Sequence, residues 1–205
     1  MTTADQQLVT PADRVSVRVS FARSLSKLYF VRTGVSLAWV ITLSTLSSSL
    51  GQGSSPSAVI AVLLVLYPLA DTVATFVDIR TTPIESQTLF QRINLVISLL
   101  AAVAVAVVAE HGFGAILEVF GLWAILSGAI QLIVGLRRHT LISAQWFMVI
   151  SGAGSTFAGA TFVKWSGSPH DGLATLLQYS TGGAAWYLIA AVWLAVSSFR
   201  PSIST

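Results

Sequence analysis

Cysteine is missing from all 205 residues, which removes disulfides, thiolate metal sites and a cysteine nucleophile from consideration. Charge is nearly as scarce. Only 9% of residues are Asp, Glu, Lys or Arg, against about 25% in a typical soluble domain. A chain so poor in charge lacks the polar surface needed to face water. Catalytic signatures are also missing. There is no phosphate-binding glycine loop with lysine, no His-Glu-x-x-His helix and no nucleophile-elbow serine, and the glycine-rich Gly152-Ala153-Gly154 follows no strand. The expectation is a protein with no cofactor, no metal and no catalytic constellation.

Apolar residues take that place, at 54% of the chain with a mean hydropathy of +0.79. They gather into six runs, about 28–46, 58–77, 93–109, 115–136, 145–163 and 173–199. Each has the length of a bilayer-crossing helix, about 20 residues with room for tilt. Continuous runs of this kind exclude a membrane β-barrel, whose strands alternate over about ten residues. The fold class is therefore all-α membrane, a six-helix transmembrane bundle with the lipid bilayer as its main partner. Residues 1–27 are polar and basic and hold no cleavable signal pattern, so the first run is read as a retained helix. Within them, Thr10-Pro11-Ala12-Asp13 reads as a helix start. The basic residues after it suggest an interfacial helix drawn to anionic lipid, and residues 201–205 read as a short tail.

The position of the cations gives an orientation. Arg14, Arg18, Arg23, Lys27, Arg32, Arg80, Arg92, Arg137, Arg138 and Arg200 fall on one side of the alternating spans, and Lys164 alone falls on the other. By the positive-inside rule the crowded side is cytoplasmic and carries both termini, as in a bacterial inner membrane. The positive charge is thus explained by topology, with no call for nucleic acid.

The even-numbered helices look related. Trp123 precedes Arg137, and Trp186 precedes Arg200, by 14 residues in each case, while Tyr67 precedes Arg80 by 13. Three successive two-helix hairpins in the same orientation, a parallel repeat, account for the pattern. The stretch Phe120-Gly121-Leu122-Trp123-Ala124-Ile125-Leu126-Ser127-Gly128-Ala129-Ile130-Gln131-Leu132, with Gly135 and Arg137-Arg138 behind it, resembles the repeat of HdeD-like membrane proteins. Leu66-Tyr67-Pro68-Leu69-Ala70-Asp71, with Asp78 and Arg80 downstream, is similar to a bacterial subgroup of that family. The resemblance runs from Lys27 onward. It implies six helices built on a short two-helix repeat of unknown function, and a link to acid or envelope stress. It carries no catalytic residues across.

Asp71 stands out among the polar residues inside the spans. It lies about 13 Å along the helix from Arg80, inside the hydrocarbon. A carboxylate there costs about 2.5–3.5 kcal/mol on insertion scales and belongs on the bundle interior. Asp78, seven residues on, shares its face, and Pro68 removes a backbone donor at the same depth. Arg32 is expected to reach the inner headgroups or to pair with Asp78. With Asn94 and Gln131 these residues form a candidate polar layer, either interhelical glue or the centre of a small channel or proton-coupled transporter. Gly121, Gly128 and Gly135 recur every seven residues, while Ser151, Ser155 and Gly159 and, beside them, Gly152, Thr156 and Ala160 each recur every four. Such small faces let helices approach closely, either to close the monomer or to join copies in a homo-oligomer. On the far side, Glu110-His111 and His170-Asp171 pair imidazole with an acid, which suits pH sensing, or the plainer role of polar turns. His139 beside two arginines reads as a residue facing lipid headgroups.

Overall fold

A computed structural model describes residues 11–50, 55–81, 88–138, 145–167 and 172–199. Six helices make up almost all of it: α1 (Pro11–Leu50), α2 (Ala58–Thr81), α3 (Leu89–Val108), α4 (Phe113–Arg138), α5 (Gln145–Trp165) and α6 (Gly172–Phe199). Each contains a stretch long and apolar enough to cross a membrane. These stretches contain or closely overlap the six runs read from the sequence. The first helix differs in extent, because α1 begins at Pro11 and continues unbroken into the first span. Helix-forming residues link the two parts with no glycine or proline between, so nothing ends the helix at residue 27. Thr10, the expected cap, lies outside the described residues, as do His139, His170, Asp171 and Arg200.

Large apolar side chains cover the outside. Ile41, Val73, Val107, Trp146 and Phe157 are all exposed, Phe157 to 74%. A bundle in water would turn these inward; in hydrocarbon they cost nothing, so the six helices describe a multi-pass membrane protein. A tight connection joins α3 to α4: a 3-10 turn over Ala109–His111, then Gly112 at φ 92°, where a side chain would be strained. The Gly112 carbonyl then accepts the first α4 hydrogen bond, from the Ile116 N–H.

The helices pack in chain order as a ring, with α6 closing onto α1. Interfaces alternate around it. Packing is close at α2–α3, α4–α5 and α6–α1, and sparser at α1–α2, α3–α4 and α5–α6. This three-fold alternation is what three hairpins in one orientation produce, since each hairpin is looser within itself than against the next.

The closest interface follows from its glycines. A Cβ built on Gly128 would sit 2.7 Å from the Gly152 carbonyl oxygen and from the Thr156 nitrogen. One on Gly159 would lie 2.5 Å from the Gly121 oxygen, and one on Gly135 would press on Val149 at 2.9 Å. Backbone thus lies directly on backbone between α4 and α5, the kind of contact that drives association where lipid supplies no hydrophobic force.

One half of the ring is filled. At the Lys164 end, Leu43, Ile60, Leu64, Val105, Ile116 and Leu176 are buried in one cluster that also takes in Trp39, Phe120 and Trp123. At the arginine end a smaller cluster, including Leu25, Tyr29, Ala191 and Leu194, joins α1 to α6, helped by the Ser26 hydroxyl donating to the Ala191 carbonyl at 2.9 Å. Between the two clusters the packing opens into a cavity.

Gly128→Leu is expected to destabilise the protein by about 1–3 kcal/mol through overpacking. Gly154→Ala, with open space around its Cβ, is expected to be neutral or slightly stabilising. Thermal unfolding in detergent checks both, and equal losses would show that backbone contact does not hold α4 to α5.

Candidate functional site

The cavity measures about 400 Å³ and is lined by residues of all six helices. Arg32 of α1 and Asp71 of α2 form an ion pair on its wall, Nη1 to Oδ1 at 2.6 Å, with both side chains about 15% exposed. The Arg32 Nη1 group also donates to the Tyr187 hydroxyl of α6 at 2.9 Å, and Nη2 donates to the Thr75 hydroxyl at 3.2 Å. The second Asp71 oxygen accepts from Asn94 Nδ2 at 3.1 Å and from the Ser98 hydroxyl at 2.8 Å, both on α3. Ser98 in turn accepts from the Trp123 indole N–H of α4 at 3.0 Å. Five helices therefore meet in one hydrogen-bonded network. On the fifth helix, Ser155 accepts from the Tyr179 hydroxyl of α6 at 3.1 Å, beside the same cavity.

Spacing along each helix explains the convergence. Thr75 stands four residues after Asp71, and Ser98 four after Asn94, so each pair shares a face one turn apart. Charge explains the strength. Asp71 takes donors on both oxygens, one of them a guanidinium, which is the arrangement a carboxylate needs when water is excluded. Asp78 and Gln131 line the same cavity, so the whole candidate layer is brought together. The expected partner of Arg32 changes, however. The guanidinium neither reaches for headgroups nor takes Asp78 as its hydrogen-bonded partner, but binds Thr75, just under one turn deeper, and Asp71, almost two turns deeper. The face of α2 that Arg32 meets was legible; the axial offset between the two helices was not.

Aromatic rings close the cavity towards the Lys164 end. Tyr67 packs between Trp39, at 4.5 Å between centroids, and Phe120, at 6.3 Å, with the edge of Trp123 at 5.9 Å. Pro68 has no N–H to offer the Leu64 carbonyl, and at the neighbouring Leu63 carbonyl the Trp39 indole N–H binds at 2.6 Å. On α6 the aromatics that line the cavity are Tyr179 and Tyr187, not the Trp186 of the repeat spacing. Gly183 between them leaves room for the Tyr67 hydroxyl, 3.9 Å from where a Cβ would be.

The other candidates lie apart from the cavity. His111 and Glu110 are exposed in the 3-10 turn at the Lys164 end, so the described half of the paired-histidine pattern is a surface feature. Arg80 stacks on Phe76 and Arg137 on Phe90, at 5.0 and 4.5 Å from the ring centroids. Among the described residues no group of three or more His, Cys, Asp or Glu is placed to hold a metal ion.

Removing one partner of the ion pair leaves the other charge stranded. Arg32→Met or Asp71→Leu alone is expected to cost about 3–5 kcal/mol, and the double substitution much less than their sum. Unfolding measured as a double-mutant cycle checks this, and additive losses would show that the two charges do not depend on each other.

No family model matches this chain, and no curated protein and no solved structure does so either.

Proposed function

We propose that this chain is a non-enzymatic protein of the bacterial inner membrane, with both termini cytoplasmic, that binds a small ligand at the Arg32–Asp71 centre and couples its passage to a proton. The observation that carries this reading is the cavity of about 400 Å³ with a paired guanidinium and carboxylate on its wall. That volume is in the range of small-molecule sites. Ionisable residues inside a membrane domain are expensive to keep and mark proton relays and ligand paths.

The chemistry is a competition for Arg32. While Asp71 is ionised, it holds the guanidinium. A proton on Asp71 cancels that attraction and frees Arg32 donors for a ligand; loss of the proton restores the pair and expels the ligand. A small carrier suits this cycle better than an open channel, because aromatic and aliphatic side chains fill the bundle on the Lys164 side of the cavity. The orientation rests on charge. Arg23, Lys27, Arg80, Arg92 and Arg137 gather at one end of the spans and Lys164 at the other, and the positive-inside rule favours the crowded end as cytoplasmic. The HdeD-like resemblance in α2 and α4 supports a setting in acid or envelope stress, where a proton-responsive membrane site has a use.

Proteoliposomes holding a pH-sensitive dye, given solutes of different classes under an imposed proton gradient, provide the test. Wild-type protein is expected to change the lumen pH with one solute class, and Asp71→Asn to lower that rate at least tenfold while staying monodisperse. Equal rates for the two proteins would remove Asp71 from the mechanism. No response to any class would leave the chain a purely structural membrane protein.

A further inference from the structure

The walls of the cavity differ in what covers them. At the arginine end, its lining residues Leu28, Gln91 and Val134 are 8%, 4% and 5% exposed, so among the described residues the helices cover much of that end. At the Lys164 end it stops at the packed rings of Tyr67 and Trp123. Between α1 and α2 the lining residues are instead open to the outside: Val31 and Val73 are 61% and 64% exposed, Val35 and Val77 45% and 40%. Those valines belong to the apolar surface that faces hydrocarbon. The seam is one of the sparsely packed interfaces, and its side chains are short, with Ala70 and Ala74 completing the α2 edge. The two helices are joined towards the Lys164 end by Trp39 on Leu63, and across the seam by Arg32 on Asp71.

We infer that the cavity is reached sideways from the bilayer, through the α1–α2 seam, and that it takes an uncharged single-chain amphiphile, an alcohol or primary amide, whose head lies beside Arg32. This rests on the cavity being a binding site, as proposed above, and adds the route and the ligand class. The apolar chain would lie between the valines, in surroundings no different from lipid. The head class follows from charge and hydrogen bonding. Among the described residues the ionisable side chains lining the cavity are Arg32, Asp71 and Asp78 together with tyrosines. With a proton on Asp71, as the ligand-binding state requires, Asp78 already balances Arg32, so a carboxylate or phosphate head would add an uncompensated negative charge. A quaternary ammonium head would have to cross the valine seam with its charge bare. An uncharged head avoids both costs. Among the described residues, Arg32 Nε, a donor, Asn94 Oδ1, an acceptor, and Ser127 Oγ, which is either, are buried polar atoms on the lining with no hydrogen-bond partner. A head that both donates and accepts can satisfy such a set, whereas an ether or a hydrocarbon cannot.

Photo-crosslinking in nanodiscs tests this with two diazirine alcohols, one long-chain and one short and water-soluble. The long-chain probe is expected to label the segments carrying Asn94 and Ser127. Val73→Trp, a change at the lipid-facing rim, is expected to reduce that labelling at least tenfold while labelling at Phe157, on the outer surface, stays constant. Ala70→Leu, smaller and on the same edge, gives the same readout should the tryptophan disturb folding. Labelling of the cavity by the short probe, undiminished by either substitution, would overturn the lateral route and leave the binding site standing. Labelling at Phe157 with none in the cavity from either probe would sink the binding site itself. Competition by a long-chain carboxylate or trimethylammonium as strong as by unlabelled alcohol would overturn the assignment of the head.

Discussion

A charge in hydrocarbon has no solvent to fall back on, and the Arg32–Asp71 pair shows how this chain meets that constraint. Every donor around Asp71 comes from a different turn or a different helix: a guanidinium from α1, an amide and a hydroxyl from α3. The guanidinium is itself steadied by Tyr187 of α6 and Thr75 of α2. Loss of α1, α2, α3 or α6 would strand polar groups of this network in oil. The pair therefore makes assembly of the ring close to all-or-none, a stronger demand than apolar packing alone can place on helices that lipid solvates equally well. The same satisfied network lines a space, and this joins stability to the proposed activity: what competes for Arg32 also loosens the bundle.

The alternation of close and sparse interfaces gives the ring its division of labour. Between α4 and α5, glycines bring backbone onto backbone, and nothing there can slide without a clash. The α1–α2 seam is the reverse case, with short side chains and few contacts except at the tryptophan and the ion pair. Firm interfaces alternating with softer ones, the α1–α2 seam among them, let a cavity change shape without the domain coming apart.

Much of this was legible in the sequence, for physical reasons that also mark where legibility ends. Six spans follow from composition, because a bilayer of fixed thickness requires apolar runs of fixed length. Arg32, Asp71 and Asn94 were visible because polar residues in apolar helices need partners. Ser98 and Thr75 were not, since most hydroxyls in such helices bond their own backbone, as Thr33 does to the Tyr29 carbonyl and Thr72 to the Pro68 carbonyl. Nothing local separates the hydroxyls that cross between helices from those that do not. Helical position brings its own uncertainty: adjacent residues point about 100° apart, which is why Trp186 carried the repeat spacing while Tyr187 faces the cavity. The choice of Asp71 over Asp78 by Arg32 has a different origin, the axial offset between two helices, since the two acids share a face.

Helix α2 carries a flaw at Pro68, where its own hydrogen bonding is interrupted, and the neighbouring Leu63 carbonyl is clasped by an indole from α1. A flexure of α2 at that point tugs on the clasp before it can move the distal turns, and the partner helix is drawn along. The two staves on either side of the soft joint are thereby geared to each other near one end. Their motion becomes a shared pivot, with the widest swing at the opposite end.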